Sequence, residues 1–144
     1  MKGFNDPVKQ IEVKDFIRKE NVRVFGLVET KIKKEKFDDV FGRNFVNWNK
    51  ISNHHWSPLG RVCVCWDPNF CVVKSIESSD LFILCEVFLL DENRSILVCF
   101  VYANNRHVHR KKLWSDLKVI FDSSKNSPCW YWEILMLLDI NMKK

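Results

Sequence analysis

The sequence lacks the patterns that define several large protein classes. Its six cysteines include no Cys-x-x-Cys pair, which argues against a zinc ribbon. It contains no Gly-rich phosphate loop and no Ser-His-Asp motif. Residues 1–7 have no apolar segment behind their charge, and no apolar run reaches the length of a membrane-spanning helix. We therefore expect a protein that is neither secreted nor bound to a membrane.

The composition is that of a globular protein. Of the 144 residues, 47% are hydrophobic and 13% are aromatic, whereas only four are glycine and four are proline. These values predict at most one domain with a true core, and they exclude a disordered or fibrous chain. The net charge of +5 is compatible with a phosphate-bearing partner but does not require one. In an intracellular protein the cysteines should be reduced, buried thiols on strands.

The first third of the chain predicts a helix, a buried strand and a charged segment. Asp6-Pro7 is typical of a helix start, with Asp as N-cap and Pro at the first helical position. A surface helix is expected over residues 7–20, and apolar residues recur at helical spacing at Val8, Ile11, Phe16 and Ile17. The apolar run within residues 22–29 predicts a strand buried on both faces. Residues 31–41 form either a short helix or a loop.

The middle of the chain predicts a set of antiparallel strands joined by short turns. We expect strands at residues 45–51, 60–66, 70–76, 81–90 and 94–102. A basic helix should follow over residues 106–121, and residues 129–140 are apolar enough to form one more strand. The order of elements predicts a layered α/β or α+β domain.

Several polar residues are placed where chemistry could occur. Glu29 ends the central strand and Tyr102 ends a later one, and ligands in α/β layers are commonly held at strand ends. Asp139-Ile140-Asn141 would put two oxygen ligands on one face of an extended segment. The basic cluster that begins at Lys31 could face a phosphate backbone or simply solvent. The His54-His55 pair and the His107-x-His109 pair do not favour a metal site, because neither pattern places two rings together on a strand.

These residues belong to motifs that together resemble a known family. The chain is similar, over about residues 3–128, to the N-terminal endonuclease domain of plant LINE-type (non-LTR) retrotransposon polyproteins, in the endonuclease/exonuclease/phosphatase superfamily. The motifs that carry the resemblance are Gly3-Phe4-Asn5-Asp6-Pro7, Gly26-Leu27-Val28-Glu29-Thr30-Lys31, Asn53-His54-His55, Gly60-Arg61-Val62-x-Val64-Cys65-Trp66-Asp67-Pro68, Cys85-Glu86-Val87, Phe100-Val101-Tyr102-Ala103 and Arg110-Lys111-Lys112-Leu113-Trp114-x-x-Leu117.

The resemblance implies a fold and a function. The fold would be a four-layered αββα sandwich like that of deoxyribonuclease I, of which this chain holds roughly the N-terminal half. The function would be Mg²⁺-dependent hydrolysis of a DNA phosphodiester in the nucleus, nicking target DNA for retrotransposition, without a small-molecule cofactor. Glu29 would be the metal ligand and Tyr102 would contact a phosphate oxygen. The basic side chains near the DNA backbone would be Lys31, Lys33, Arg106 and Arg110.

The sequence also departs from the family pattern. The family's metal-site Asn would precede Met1, and its Gly-Asp-Phe-Asn strand is replaced by other residues within 128–136. Codons can be chosen for residues 128–136 such that one added G gives Pro-Trp-Leu-Val-Leu-Gly-Asp-Phe-Asn. We therefore interpret residues 1–128 as a partial domain and residues 129–144 as an out-of-frame or degenerate tail. In that case Asp139 and Asn141 mimic the family's catalytic pair by accident.

Three functions follow from this reading. The first is a catalytically inactive remnant of a DNA endonuclease that retains DNA affinity. The second is a weak residual nuclease that uses Glu29 and Asp139. The third is a non-enzymatic interaction module based on the basic helix over residues 106–121.

Overall fold

The predicted N-terminal helix is present, but it buries a different face from the one the apolar pattern indicates. The computed structural model describes residues 4, 6–28, 30–102, 115, 118–119, 132–136 and 138–139, the last two ranges as backbone. Helix α1 spans Pro7–Lys19, and its N-cap Asp6 accepts a hydrogen bond from the Val8 N–H at 3.0 Å. Val13 and Ile17 are its buried residues. Of the four apolar residues that the spacing indicates for the buried face, three are exposed, namely Val8, Ile11 and Phe16.

The charged segment after the first strand forms a helix, and the strand expected next is shorter than predicted. Helix α2 spans Lys34–Asn44. The predicted strand over 45–51 is wrong in its first half, because strand β2 spans only Asn49–Ser52. Asn47 has a positive φ of 67°, which no regular strand accepts. Phe45 and Trp48 instead pack against each other and against Phe25, at ring-centroid distances of 5.0 to 6.2 Å.

Among the residues that the structure describes, four strands form the first sheet, sheet A. Strand β1 spans Val24–Val28, β3 spans Val62–Trp66 and β8 spans Leu138–Asp139. The strand order is β2-β3-β1-β8, so the predicted central strand has a neighbour on each side. β1 runs antiparallel to β3 with Val28 opposite Val62. It runs parallel to β8, with Val28 beside Asp139.

Four strands also form the second sheet, sheet B. β4 spans Cys71–Ser78, β5 spans Phe82–Leu89, β6 spans Arg94–Val101 and β7 spans Trp132–Met136. The order is β4-β5-β6-β7, with the first three antiparallel and β7 parallel to β6. The strands expected at residues 70–76, 81–90 and 94–102 are confirmed with slightly different ends, whereas the single strand expected over residues 129–140 is wrong, because that segment contributes β7 to sheet B and β8 to sheet A. The chain leaves sheet A after Trp66 and enters sheet B at Cys71. The short turn at Asp67–Phe70 therefore joins two sheets rather than two paired strands.

The core lies in two apolar layers. One layer lies between the helices and sheet A, and the other lies between the two sheets, where Val62, Val64, Ile83, Val87 and Phe100 are buried. Burying such a side chain contributes roughly 1.5–3 kcal/mol. Sheet B also buries residues that belong to neither layer, at Leu84, Leu97 and Cys99. An α/β sandwich with two packed sheets, as predicted, is confirmed.

The expectation of buried thiols is confirmed for the cysteines that the structure describes. These are free and buried at Cys63, Cys65, Cys71, Cys85 and Cys99. In the same part of the chain, no helix has both the length and the apolar character needed to cross a membrane.

Candidate nucleic-acid and metal site

The end of β1 meets two other parts of the chain. Thr30 is fully buried, and its backbone carbonyl accepts a hydrogen bond from the Phe4 N–H at 2.8 Å. Its hydroxyl donates to the Gly60 carbonyl at 2.9 Å. The segment before α1, the end of β1 and the approach to β3 are therefore joined at one edge of the sandwich. Glu29, the predicted metal ligand, lies outside the described residues, although Val28 and Thr30 on either side of it are buried.

The last residue of β8 pairs with the last residue of β1. Asp139 is the register partner of Val28, the residue before Glu29. Mg²⁺ takes carboxylate oxygens as ligands, so Glu and Asp are residue types that suit that ion. Among the residues that the structure describes, no three His, Cys, Asp or Glu side chains are grouped to hold a metal. Asn141 lies outside them.

Tyr102, the predicted phosphate contact, follows β6 at the same edge. Its backbone N–H donates to the Leu81 carbonyl at 2.7 Å. The Arg61 guanidinium lies over the Tyr102 ring, 5.6 Å from the centroid, in a cation–π contact. Arg61 Nη1 is also 4.0 Å from Asp80 Oδ2. Because Arg61 directly precedes β3, its contact with Tyr102 connects the start of β3 in sheet A to the residue that follows β6 in sheet B.

A buried asparagine fixes this edge. Asn53 is only 1% exposed. Its side-chain oxygen accepts from the Val62 N–H at 2.9 Å, and its amide nitrogen donates to the carbonyls of Ser79 and Asp80, each at 3.1 Å. The side chain thus joins the first residue of β3 to the turn that leads into β5. Neutral amide groups satisfy both the donor and the acceptors, which neither Asp nor Ser could do.

Residues 53–60 form most of the loop between β2 and β3, and this 53–60 loop is held by contacts with neighbouring segments. His54 Nε2 lies 2.6 Å from the Ile32 carbonyl, so that nitrogen carries the proton and donates, while Nδ1 contacts the Ser52 hydroxyl. Both ring nitrogens are thereby engaged in structure, in agreement with the expectation that His54 is not a metal ligand. Gly60 has φ of +63°, and an added Cβ would lie 2.6 Å from His54 Nε2.

Cationic residues flank the loop. Lys31 and Arg61 line a depression of about 370 Å³ together with Ser57, Pro58, Leu59 and Gly60. Lys33 is exposed just before α2. Arg106 and Arg110 lie outside the described residues. Of the predicted basic helix over 106–121, the structure describes Ser115, Lys118 and Val119, which are helical and exposed.

A buried thiol, that of Cys63, lies beside Thr30. Cys63 lies 3.8 Å from the Thr30 hydroxyl. Burial raises the pKa of Cys63 to about 12, and the Thr30 contact opposes the shift without cancelling it. A thiol with such a pKa is neutral at physiological pH, so Cys63 is a poor nucleophile there.

Sequence reasoning missed two residues of this edge. Arg61 stands in the Gly60-Arg61-Val62 motif but carried no assigned role, and Asn53 stood beside two histidines that drew attention to metal chemistry. Their partners, Tyr102 and the turn at Ser79-Asp80, lie far away in the sequence. An Asn at the start of the turn before an apolar run was the one local signal that could have suggested a side chain bonded to the backbone.

Comparisons with known proteins identify the fold. No family model and no curated protein matches the sequence. A humanized TDP2 of D. rerio matches with a TM-score of 0.63 at 10% identity, covering 91% of this chain and 56% of TDP2. A mannosyl-6-phosphatase of Bacteroides thetaiotaomicron has a TM-score of 0.63 at 6% identity, covering 88% and 55% of the two chains. The D. rerio TDP2 was also solved in complex with a single-strand DNA product.

A third match is to a protein of a named family. An endonuclease/exonuclease/phosphatase family protein of Bacteroides thetaiotaomicron has a TM-score of 0.59 at 5% identity, covering 88% of this chain and 54% of that protein. The chain spans little more than half the length of these structures. At such identities the likeness concerns the architecture alone. The chain therefore has the fold of the endonuclease/exonuclease/phosphatase proteins.

Proposed function

We propose that this chain is part of a DNA endonuclease domain of the endonuclease/exonuclease/phosphatase type, derived from a plant LINE-type retrotransposon. The observation that carries the proposal is the Arg61 connection. It joins the two strand ends that precede Glu29 and Tyr102, since Arg61 lies over Tyr102 and adjoins Gly60, the partner of Thr30. Residues from two sheets at one edge are where such a fold would hold a phosphodiester.

The proposed roles follow from the chemistry of each side chain. Glu29 would hold Mg²⁺, which supplies charge stabilisation at a phosphoryl oxygen when bound. Tyr102 would donate a hydrogen bond to a phosphate oxygen. The cations would contact the DNA backbone at Lys31, Lys33, Arg106 and Arg110. The single-strand DNA bound by D. rerio TDP2 supports DNA as the ligand, and such a target would place the protein in the nucleus.

We further propose that the chain binds DNA without cleaving it. The strand beside β6 is β7, whose sequence is Trp-Glu-Ile-Leu-Met, with Met136 opposite Val101. In the resembling family an Asp and an Asn come from a Gly-Asp-Phe-Asn strand. The sequence of β7 offers one carboxylate, Glu133, and no Asn. This composition supports the interpretation of residues 129–144 as an out-of-frame or degenerate tail.

Supercoiled plasmid tests the absence of cleavage. Incubation with the chain and Mg²⁺ should give no more relaxed circle than incubation with the Glu29→Ala variant. Mg²⁺-dependent nicking that Glu29→Ala removes would overturn the inactive assignment.

Replacing residues 129–136 by Trp-Leu-Val-Leu-Gly-Asp-Phe-Asn tests the tail. We expect the replaced chain to gain thermal stability on adding Mg²⁺, because an ion that binds only the folded state stabilises it. The same replacement combined with Glu29→Ala is the control and should lose most of the gain. Equal Mg²⁺ responses in the original and replaced chains would contradict the interpretation of the tail.

A residual nuclease is a second candidate, favoured by one observation. The β1–β8 register puts Asp139 on the neighbouring parallel strand, beside Val28, the residue that precedes Glu29 in the sequence. If this pair acts, plasmid nicking should be lost in both Glu29→Ala and Asp139→Ala. It should survive in Asp91→Ala, which changes an exposed carboxylate at the β5–β6 turn.

DNA affinity itself is tested by salt dependence. If two to four phosphates are neutralised, log K for duplex DNA should fall against log [salt] with a slope of roughly −2 to −4. A slope near zero would contradict the proposed phosphate contacts and would favour a non-enzymatic interaction module instead.

A further inference from the structure

Trp56 is an exposed aromatic side chain on a loop that is otherwise fixed. Its relative exposure is 53%, although large aromatic side chains contribute most when buried. Its indole N–H donates to the Ser78 hydroxyl at 3.0 Å, which sets the ring's orientation. The backbone N–H of Trp56 donates to the Asn53 carbonyl at 2.9 Å. The ring is therefore presented to solvent by a preorganised support rather than by a loose loop.

The same turn that orients Trp56 also contacts Arg61. Trp56 bonds to Ser78, and Arg61 lies 4.0 Å from Asp80, two residues further on. Two residues span at most about 7 Å of extended chain, so the Cα atoms of the two residues that contact the indole and the guanidinium lie within about that distance of each other. Lys31 and Arg61 flank the depression of about 370 Å³ next to the loop. Trp56 directly precedes Ser57, the first loop residue that lines this depression, so the aromatic residue and the two cations belong to adjoining segments at the edge where β1 and β6 end.

We propose that the 53–60 loop, with Lys31 and Arg61, is a subsite for single-stranded DNA, in which one unstacked base lies on the Trp56 indole. The two cations contact the phosphates on either side of that base. An aromatic platform combined with a positively charged track is the arrangement that binds single strands with little sequence preference. The inference rests on the proposed DNA-binding function and adds the strand type and the contact residues.

Asp80 is the group that opposes this assignment. Its carboxylate is half-exposed and competes with phosphate for Arg61. Asp80→Asn should therefore bind DNA more tightly at low salt. Asp91→Asn removes the same charge from an exposed turn and should change binding much less.

Binding of a fluorescent oligothymidylate to the full chain tests the subsite. Trp56→Ala should weaken binding roughly 5- to 150-fold, the usual range for loss of a stacked base. Trp56→Phe should retain most of the affinity, because a smaller ring still stacks. Phe16→Ala, at an aromatic residue of α1 that is 57% exposed, should bind like the unchanged chain. Arg61→Ala should lower the salt slope by about 0.7, and Arg43→Ala, in an exposed ion pair of α2, should not.

An abasic oligonucleotide of equal length separates stacking from charge. The Trp56→Ala penalty should vanish on it, whereas the Arg61→Ala effect should remain. If the chain binds DNA with a normal salt slope but Trp56→Ala binds oligothymidylate as tightly as the unchanged chain, the subsite is wrong and the proposed function stands. If neither single-stranded nor duplex DNA binds at low salt, both are wrong.

Discussion

Replacing Asn53 by Ala should destabilise the protein more than any comparable change at a surface asparagine. The substitution removes three hydrogen bonds to backbone groups, those to the Val62 N–H and to the carbonyls of Ser79 and Asp80. Each contributes about 0.5–1.5 kcal/mol net, so their sum is roughly 3 kcal/mol. Domains of this size are stable by about 5–15 kcal/mol, so the loss is a large share of the total.

Urea denaturation followed by circular dichroism measures this loss. With a slope of roughly 1–3 kcal/mol/M, a loss of about 3 kcal/mol should lower the midpoint by about 1–3 M. Asn69→Ala is the control, because Asn69 is exposed in the turn between the sheets. If the free energies of unfolding of Asn53→Ala and Asn69→Ala lie within about 0.5 kcal/mol of each other, the Asn53 side-chain hydrogen bonds do not stabilise the fold as proposed.

Asn53→Asp refines the test through pH. A carboxylate keeps the acceptor for Val62 but presents a negative charge to two carbonyl oxygens, so its folded pKa should lie above its unfolded value. Because the folded variant binds the proton more tightly than the unfolded variant, protonation favours folding. The variant should therefore gain stability relative to the original chain as the pH falls below about 6. A pH-independent difference between the two chains would refute the contact geometry.

Two further predictions concern the glycine of the loop and the buried thiols. Gly60→Ala should lower the free energy of unfolding by about 2–3 kcal/mol, because the φ angle of Gly60 is +63° and the new Cβ would displace His54. In Gly42→Ala, within α2, the new Cβ meets nothing within 4 Å, so this variant should be neutral or more stable by about 0.5–1 kcal/mol. Equal melting temperatures for the two variants would contradict this. Burial raises the pKa of both Cys63 and Cys85 from an ordinary 9.0 to about 12. The contribution of these neutral thiols to the free energy of unfolding is therefore complete below pH 9 and is lost as the pH rises from 9 to 12. Between pH 8 and 10 the unfolding free energy should fall by about 1.4 kcal/mol per such thiol, which urea titrations at both pH values would detect or exclude.

Local chemistry made part of the fold predictable. The Asp6-Pro7 dipeptide located the start of α1 because a cap is a contact between residues two positions apart. The strands of sheet B were also found, since apolar runs were separated by polar turns. The sequence did not show that the turn at Asp67–Phe70 leads into a different sheet. Nothing local distinguishes a hairpin from a crossing between layers.

The errors arose where tertiary packing decides. Phe45 and Trp48 looked like strand residues, yet they face an aromatic cluster with Phe25 that is assembled only in the fold. On α1 the choice between Val13 and Phe16 depends on where sheet A lies, which periodicity alone does not fix.

The candidate site was predicted in part. Tyr102 lies at the end of β6 as expected, and the strand before Glu29 is central to its sheet. The roles of Asn53 and Arg61 were missed because each depends on partners supplied by other strands. A charged or amide side chain reveals its role only through its neighbours, and a single sequence does not identify those.

The parallel pairing of β1 with β8 has a consequence for the order of folding. One side of β1 is hydrogen-bonded only when Leu27 pairs with Leu138, which lies near the other end of the described chain. Contacts so distant in sequence form slowly, because the loop entropy is lost before the contact forms. During synthesis on the ribosome, β1 can pair with β3 early while its other edge stays open to strands from other chains. Yield in the cell should therefore depend on the speed of translation as well as on final stability.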